Sequence, residues 1–585
     1  LLPSLREGER LQRTGDANMV DVIETDVLVI GGGAAGTSAV LKAADRGAKV
    51  TLVVKGLVGK SGCSIFASHL PYHDVSTKEK DLDRLRYSVR YYNHYLTDQE
   101  YCIRMGAYMR NEFYPDLERL GVYWRRDAQG RLMAITSRTP ALVVHKQGAS
   151  GIIIMDKRRR EIFRRGIAVH EECAVTALLT DGERVVGATV LDYRRGRFFA
   201  IAARSTILAT GHSDYLATRS TGTREQSADG VAMALRVGAE LANLEIQWWH
   251  TSDVLEPKAW MRFHLYPNPL MGTQETSRLY NSQGEMFYEQ KTHSPGASAP
   301  YTEQIRRLSR EVLAGKARWD GGYYTGYDHI PAEITRTHQH QAKVWSKLGL
   351  DVGKDRIECG ITWHMRQGGI NVDTERMETN LPGLYVAGGL GCHFLGGIGA
   401  VSFDGKVAGE AAADAALAGG RKPLAAQAAA AEEGRVFGFL RASRDGVRPI
   451  EAKLRIRAIM WELGYVKNEQ KFNAALEALQ TVRREMVPQL RLQSTSRSWN
   501  TGWMDALDVC SMLDACEATV RSGRNRKESR GPFYREDYPY VDNEHWMCRN
   551  IVSRVNGEWR SRTQPIPATY LKPEKSREPF FEADY

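Results

Sequence analysis

The residues whose type and spacing point most directly to chemistry are Gly31-Gly32-Gly33-Ala34-Ala35-Gly36. Gly31, Gly33 and Gly36 form G-x-G-x-x-G, a spacing that turns backbone N–H groups toward a pyrophosphate. Gly31 permits the tight turn, Gly33 lets the backbone approach the phosphates, and Gly36 lets helix and strand pack closely. Alone the pattern is weak, and its setting decides. Val27 to Ile30 reads as a buried parallel strand, Thr37 to Arg46 as an apolar-periodic helix stopped by Gly47, and Val50 to Val54 as a second strand. Strand, glycine turn, helix and strand within ~30 residues is the unit that lays a dinucleotide on a helix N-terminus.

The second strand would usually end in an acid that takes the ribose hydroxyls, but here it ends Val53-Val54-Lys55. A second small-residue turn follows at Gly59-Lys60-Ser61-Gly62-Cys63-Ser64. It could pass close to a flat ring system, which suggests a flavin in an extended backbone cradle.

Composition bounds the rest. A chain of 585 residues should hold two or more domains. Its 42% hydrophobic and 26% charged residues describe an ordinary globular protein rather than a disordered one. No apolar run reaches ~18 residues, so no membrane span is expected. The opening LLPSLREGER is too polar for a signal peptide, and it lacks an initial Met, so an upstream segment could precede it. Eight cysteines without a CxxC pair argue for a reducing, cytoplasmic setting, for no metal site and for no iron–sulfur cluster of the chain's own. The net charge of +10 is mild, and its densest run, Lys157 to Arg160 with Arg164 and Arg165, reads as the solvated face of a helix. A dock for an acidic partner is the alternative. Aromatic residues are not interleaved with the basic ones, which excludes a base-stacking nucleic-acid platform.

The expected fold class is α/β: a Rossmann-like dinucleotide-binding domain, an inserted α+β domain and a C-terminal helical domain. The expected boundaries are 20–245 and 355–425 for the dinucleotide-binding domain, 246–354 for the insertion, 426–522 for the helical domain and 523–585 for a tail wrapping over the body. Ala168 to Val190 alternates like a strand, turn and strand with Asp181-Gly182 at the turn. Ser227-Ala228-Asp229-Gly230 should cap a helix running through Ala242, and Val401 to Leu417 should form another.

Several blocks resemble the succinate dehydrogenase/fumarate reductase flavoprotein family, which includes aspartate oxidase and the adenylylsulfate reductase flavoprotein. The likeness covers about residues 25 to 570. It rests on Ala209-Thr210-Gly211, Asp229-Gly230, His364 ahead of Gly368-Gly369, Leu384-Tyr385-Val386-Ala387-Gly388, and the C-terminal Glu528-Ser529-Arg530-Gly531 and Arg535-Glu536-Asp537-Tyr538-Pro539. The resemblance implies FAD, with Ala174, Gly389 and Ser402 joining Val54, Lys55, Ser61, Gly62, Ser64 and the blocks above as cofactor-binding candidates. It implies that the first domain is FAD-binding and that the insertion is its capping domain. It implies hydride transfer at flavin N5, a proton carried by a cap arginine, and two histidines with another arginine holding substrate carboxylates.

Three departures shape the expectation. Gly62 follows Ser61 where the respiratory members carry a flavin-bonding histidine, so FAD should be non-covalent. Gly389 and Gly397 stand where the family has a glutamate and an arginine, and glycine cannot fork onto a carboxylate. That disfavours a plain C4 dicarboxylate. The cap arginine is Arg310 if Ser309-Arg310-Glu311 is matched, or Arg306 if the helix end is the anchor. His250 and His364 match the substrate histidines, His393 is a weaker candidate, and Trp248, Trp249 and Trp260 could wall the cleft. The leading expectation is an FAD-dependent oxidoreductase subunit that works on an organic acid or enone-like C–C bond, served by a separate iron–sulfur or ferredoxin-like subunit. The alternatives are an adenylylsulfate reductase-like flavoprotein forming a flavin–sulfite adduct and a silent electron relay.

Overall fold

The computed structural model describes residues 20–67, 70–72, 85–86, 89–90, 93–124, 126–130, 141–143, 150–256, 258, 278–289, 301–329, 346–347, 349–351, 353–393, 397–420, 422–424, 426–441, 443 and 445–583. Trp260 lies outside them.

The opening unit folds as its periodicity predicts. Strand β1 (Val22–Ile30) leads through the glycine turn into helix α1 (Ala34–Asp45) and then β2 (Val50–Val54). Both strands are buried over their apolar runs, the mark of a parallel sheet covered on two faces. Helix α2 (Ser150–Arg164) precedes a strand at Ala168–Glu171, then a hairpin of Cys173–Thr180 and Val185–Asp192, then the long β3 (Arg197–Leu208). The stretch expected as one hairpin from Ala168 is thus two features: its first strand lies parallel to β2, and only the second part turns at Asp181. Asp181 Oδ1 accepts the Arg184 N–H across that turn.

These strands make one sheet in the order 168–171, β2, β1, β3, 185–192, 173–180. β1 lies between β2 and β3, Val29 facing Leu52 on one side and Ile207 on the other. The distal half of β3 also pairs with Leu384–Val386, which returns from the far side of the insertion.

Helix α3 (Asp229–Arg236) is shorter than its sequence suggests. Gly238, at φ +90°, ends it, and Leu241–Ala242 crosses to pair with Ile551 and Val552 near the C-terminus. The inserted sheet is antiparallel and begins with β4 (Gln247–Val254). Helix α4 (Tyr301–Leu313) packs on it, and β5 (Ile357–Arg366) pairs with β4. The strands 323–326, 278–280 and 286–289 complete it. The sheet therefore reaches past the boundary expected at 354.

Helix α5 (Gly397–Ala418) starts four residues before the expected Val401 and lies along α1. The two backbones approach so closely that a Cβ on Gly405 would stand 2.2 Å from the Ala35 carbonyl oxygen. The helical region ends in α6 (Thr501–Asn525), capped by the Asn500 side chain accepting from the Trp503 N–H. A hairpin of Cys548–Val555 and Glu558–Pro565 follows. Among the described residues no helix is long and apolar enough to cross a membrane.

Candidate active site

The glycine turn, the 61–64 loop, the end of β3 and the start of α5 converge on one cradle. Gly31 sits at φ +115°, where a Cβ would stand 2.3 Å from the Ala209 carbonyl oxygen, so any side chain would push the turn off β3. Gly33 is the N-cap of α1 with extended backbone and no side-chain cap of its own. The Ser64 hydroxyl accepts the Ala34 N–H at 3.0 Å, tying the second turn to the first. Gly388 rests on Ala35, and its N–H donates to Asp404. Gly389 lies beside the His212 ring, Ala174 is buried opposite Leu191, and Gly62, at φ +74°, faces open space. Ser61 turns its hydroxyl to the Leu57 carbonyl.

Arg158 is the residue that sequence reasoning placed wrongly. It belongs to the basic run read as a solvated helix face, yet it is buried. Its Nη1 donates to the Ala34 carbonyl at 2.9 Å and to Ser402 Oγ at 3.0 Å, pinning α1 to α5 beside the glycine turn. Arg160 and Arg164 do face solvent, as expected. Lys55 and Asp229 spend their charges on each other and on the helical region. Lys55 Nζ donates to Ser227 Oγ, Asp229 and Asp508, and Lys453 reaches Asp508 from the other side. Burial opposes the Lys55 charge, but Asp508 and Asp229 hold its pKa above the ordinary lysine value.

Does this cradle suit FAD? The turn has no room for a side chain at Gly31, the helix N-terminus has no side-chain cap of its own, and the Thr210 hydroxyl is buried without a partner. Those are the features a pyrophosphate-binding turn requires. The residues fit.

The two strands of the inserted sheet bring His250 of β4 and His364 of β5 together, ring centroids 3.8 Å apart and edge to face. Thr221 holds the second ring, its hydroxyl 2.7 Å from His364 Nδ1 and 3.3 Å from the His364 carbonyl oxygen. Thr221 was not singled out in the sequence, because the loop that carries it has no signature. The other candidates fall elsewhere. His393 lies in the core, 3.2 Å from Asp404 and edge-on to Tyr101. Burial opposes its protonation, but Asp404 raises its pKa to about 9, an imidazolium fixed by its partner. Neighbouring Cys392 is pulled down to about 7, since Arg549 and His393 outweigh burial, whereas burial pushes Cys63 up to about 12. The described contacts of Arg306 run to the Phe580 and Ala583 carbonyls and to Glu303. Arg310 is exposed, donates to the Phe581 carbonyl and stacks on that ring. Backbone carbonyls of the C-terminal segment thus claim both cap guanidiniums. Trp249 packs in the core against Trp363, Trp461 and Tyr465, while Trp248 Nε1 reaches Gln367. An open cavity of about 420 Å³ lined by Asp98, Asn371, Glu378 and Arg549 shares no residue with the imidazole pair.

A dinucleotide cradle on a parallel sheet, with an inserted antiparallel sheet bringing two imidazoles together, defines a flavoprotein oxidoreductase. The sequence matches the FAD binding domain over residues 26–401 and the fumarate reductase flavoprotein C-term over 453–578. The chain belongs to the fumarate reductase/succinate dehydrogenase flavoprotein family and is an FAD-dependent oxidoreductase. It is 27% identical over 550 residues to a fumarate reductase (CoM/CoB) subunit of Methanothermobacter marburgensis, covering 91% of this chain and 98% of that one. The fold matches a flavoprotein chain of E. coli quinol fumarate reductase with a TM-score of 0.82 at 21% identity, covering 95% and 99% of the two chains. It also matches adenylylsulfate reductase of Archaeoglobus fulgidus, with a TM-score of 0.77 at 20% identity over 94% and 97%.

Proposed function

We propose that this flavoprotein oxidises or reduces a C–C bond of a small organic acid or enone-like substrate other than a plain C4 dicarboxylate. The observation that carries the reading is the His250–His364 pair, held against rotation by Thr221, in a chain whose residue 397 is glycine. When bound, FAD supplies the hydride-accepting or hydride-donating centre at N5. The cofactor is held without a covalent bond, because Gly62 has no side chain to form one. Gly31, Gly33 and the α1 N-terminus hold its phosphates, with Arg158 bracing that turn.

The two imidazoles do the polar work. With the Thr221 hydroxyl donating to the His364 carbonyl, its lone pair accepts Nδ1–H, which makes Nε2 the acceptor nitrogen of that ring. His250, 1% exposed, lies where water is excluded. A carbonyl or carboxylate seated on the pair would be oriented by it, and one imidazole would give or take the proton at the substrate carbon. Electrons are exchanged with a separate iron–sulfur or ferredoxin-like subunit, for which the exposed Arg160 and Arg164 offer a basic face, in a cytoplasmic setting consistent with eight free thiols.

The test is a substrate panel of enoates, dicarboxylates, sulfite and adenosine phosphosulfate, with reduced viologen or ferricyanide as electron partner, on protein whose FAD is released by acid. Turnover of an enoate, falling ~100-fold or more in His364→Asn with FAD retained, is the expected result. Preferred turnover of fumarate or succinate, or reaction with sulfite alone, would overturn it.

A further inference from the structure

The imidazole pair leaves one buried charge unexplained. Arg366 is 1% exposed, and none of its Nε, Nη1 and Nη2 atoms has a hydrogen-bond partner. A guanidinium carries five N–H donors and stays charged, so leaving it dry and unbonded is costly. What surrounds it does not offset that cost. The Trp363 ring centre lies 6.0 Å from Cζ. Glu245 acts on it through space, but that carboxylate is already taken by Arg526, Ser522 and Asn550.

Asp214 is the nearest thing to a counter-charge. Its Oδ1 accepts no hydrogen bond, and its Oδ2 stands 3.8 Å from His212 Nδ1. Burial pushes its carboxyl well above the usual range, although Arg366 pulls the other way. A carboxyl that burial biases toward its neutral form offsets a neighbouring cation less than an ionised one does.

The backbone carries Arg366 two positions past His364, on the strand that supplies one ring of the pair. Gln247 faces Arg366 and Trp249 faces Trp363, so two steps on β4 match three on β5, and the extra residue falls across His364 and Met365. Bulges of this kind re-aim side chains and recur next to active sites. The loop carrying Asp214 is the loop carrying Thr221, and the Ser220 hydroxyl donates to the Asp214 carbonyl at 2.6 Å. One loop thus supplies both the Thr221 that holds His364 and the Asp214 whose charge acts on Arg366.

We infer that Arg366 is an anion-binding residue of this cleft, its guanidinium forking onto a substrate carboxylate that enters beside His364. This rests on the reading of the cleft as a substrate site. A planar carboxylate accepts two parallel N–H bonds from a guanidinium, which a neutral amide cannot match. The substrate is thereby specified as an acid with at least one free carboxylate, rather than a neutral enone.

The experiment titrates purified protein with crotonate and with its neutral isostere crotonamide, in wild type, Arg366→Lys and Arg366→Gln. Binding is read by calorimetry, which needs no flavin signal, and FAD content is measured separately. Colourless protein would sink the flavoenzyme reading while the calorimetric ratio still decides on Arg366. Wild type is expected to favour crotonate by ~30-fold or more, with R366Q bringing the ratio near one and R366K keeping part of it. Crotonamide affinity stays level across the three. Ligand-free R366Q unfolds at an equal or higher temperature, because an uncompensated charge has been removed. An unchanged ratio in R366Q overturns the inference. So does a fall in its unfolding temperature that is absent when the same change is made in Asp214→Asn protein, which would make Arg366 the structural partner of Asp214.

Discussion

Two buried guanidinium sites in this molecule have opposite endings. Near the C-terminus Arg526 and Arg530 are fully buried, yet every charge there is answered. Glu528 takes Arg526 and Arg530 at 2.7 Å each, Glu245 takes Arg526 from the other side, and the His94 carbonyl takes Arg530. Burial opposes the Arg526 charge, and Glu245 and Glu528 more than restore it. At the cleft Arg366 is just as dry and has no hydrogen bond. The difference separates a cation that the fold consumes from one it holds in reserve. A complete set of partners marks structure, and an incomplete set beside an imidazole pair marks a place for a ligand.

The sharpest way to break the comparison is at its saturated end. Glu528→Ala leaves two buried arginines without their shared carboxylate, and the Asp542 N–H loses its acceptor as well. Removing one partner of a buried pair costs about 3–5 kcal/mol. Chemical denaturation of the FAD-loaded protein should show a loss of that size. A change under ~1 kcal/mol would mean that the cluster is not what locks the C-terminal region to β4 and its approach.

A middle case is the Lys55–Asp508–Lys453 chain, which joins the end of β2 to α6. Lys55 and Lys453 overcome burial and lower the Asp508 pKa from 3.8 to about 2. A carboxyl depressed on folding contributes stability that is fully present above its unfolded pKa and is lost as pH falls through the folded one. Asp508 should therefore support the fold at neutral pH by on the order of 2 kcal/mol and lose that support between about pH 4 and pH 2. Asp508→Asn should be less stable at pH 7, with the gap to wild type closing across that window. A gap that stays constant down to pH 2 would show that the carboxylate's charge is not what matters.

How much of this could be read from the chain follows the same division. The glycine turn was legible because its geometry is local: strand, turn and helix are contiguous, and Gly31 meets Ala209 wherever β3 arrives. His250 and His364 were legible by resemblance, and their strands do pair. Arg158 was not, since an arginine inside an RRR run looks solvated until α1 and α5 close over it. The cap arginines have partners that no spacing encodes, for the mirror-image reason. Arg306 and Arg310 sit on a convincing helix, but carbonyls almost three hundred residues on, at 580–583, claim them. Helix α3 stopped early at Gly238, whose φ of +90° turns the chain toward a two-residue strand at 241–242 that pairs with Ile551 and Val552. Arg366 was in plain view two residues past His364, but burial and lack of partners are tertiary facts that no spacing encodes.

The smallest expected effect tests whether partners alone, without burial, make a charge structural. Glu161 on α2 accepts hydrogen bonds from Arg164 and Arg165, and these hold its carboxyl at about 2, as low as that of Asp508. Arg164 is 72% exposed, however, so water competes for both ends of the pair and salt screens it. Arg164→Ala should barely move the denaturation midpoint, and what shift there is should shrink further as salt is raised. The comparison then stands on two conditions rather than one: good hydrogen-bond geometry is shared by Glu161 and Glu528, and only at Glu528 is the competing solvent gone. Should R164A cost as much as E528A, burial would not be the deciding variable, and the lack of partners at Arg366 would no longer single it out.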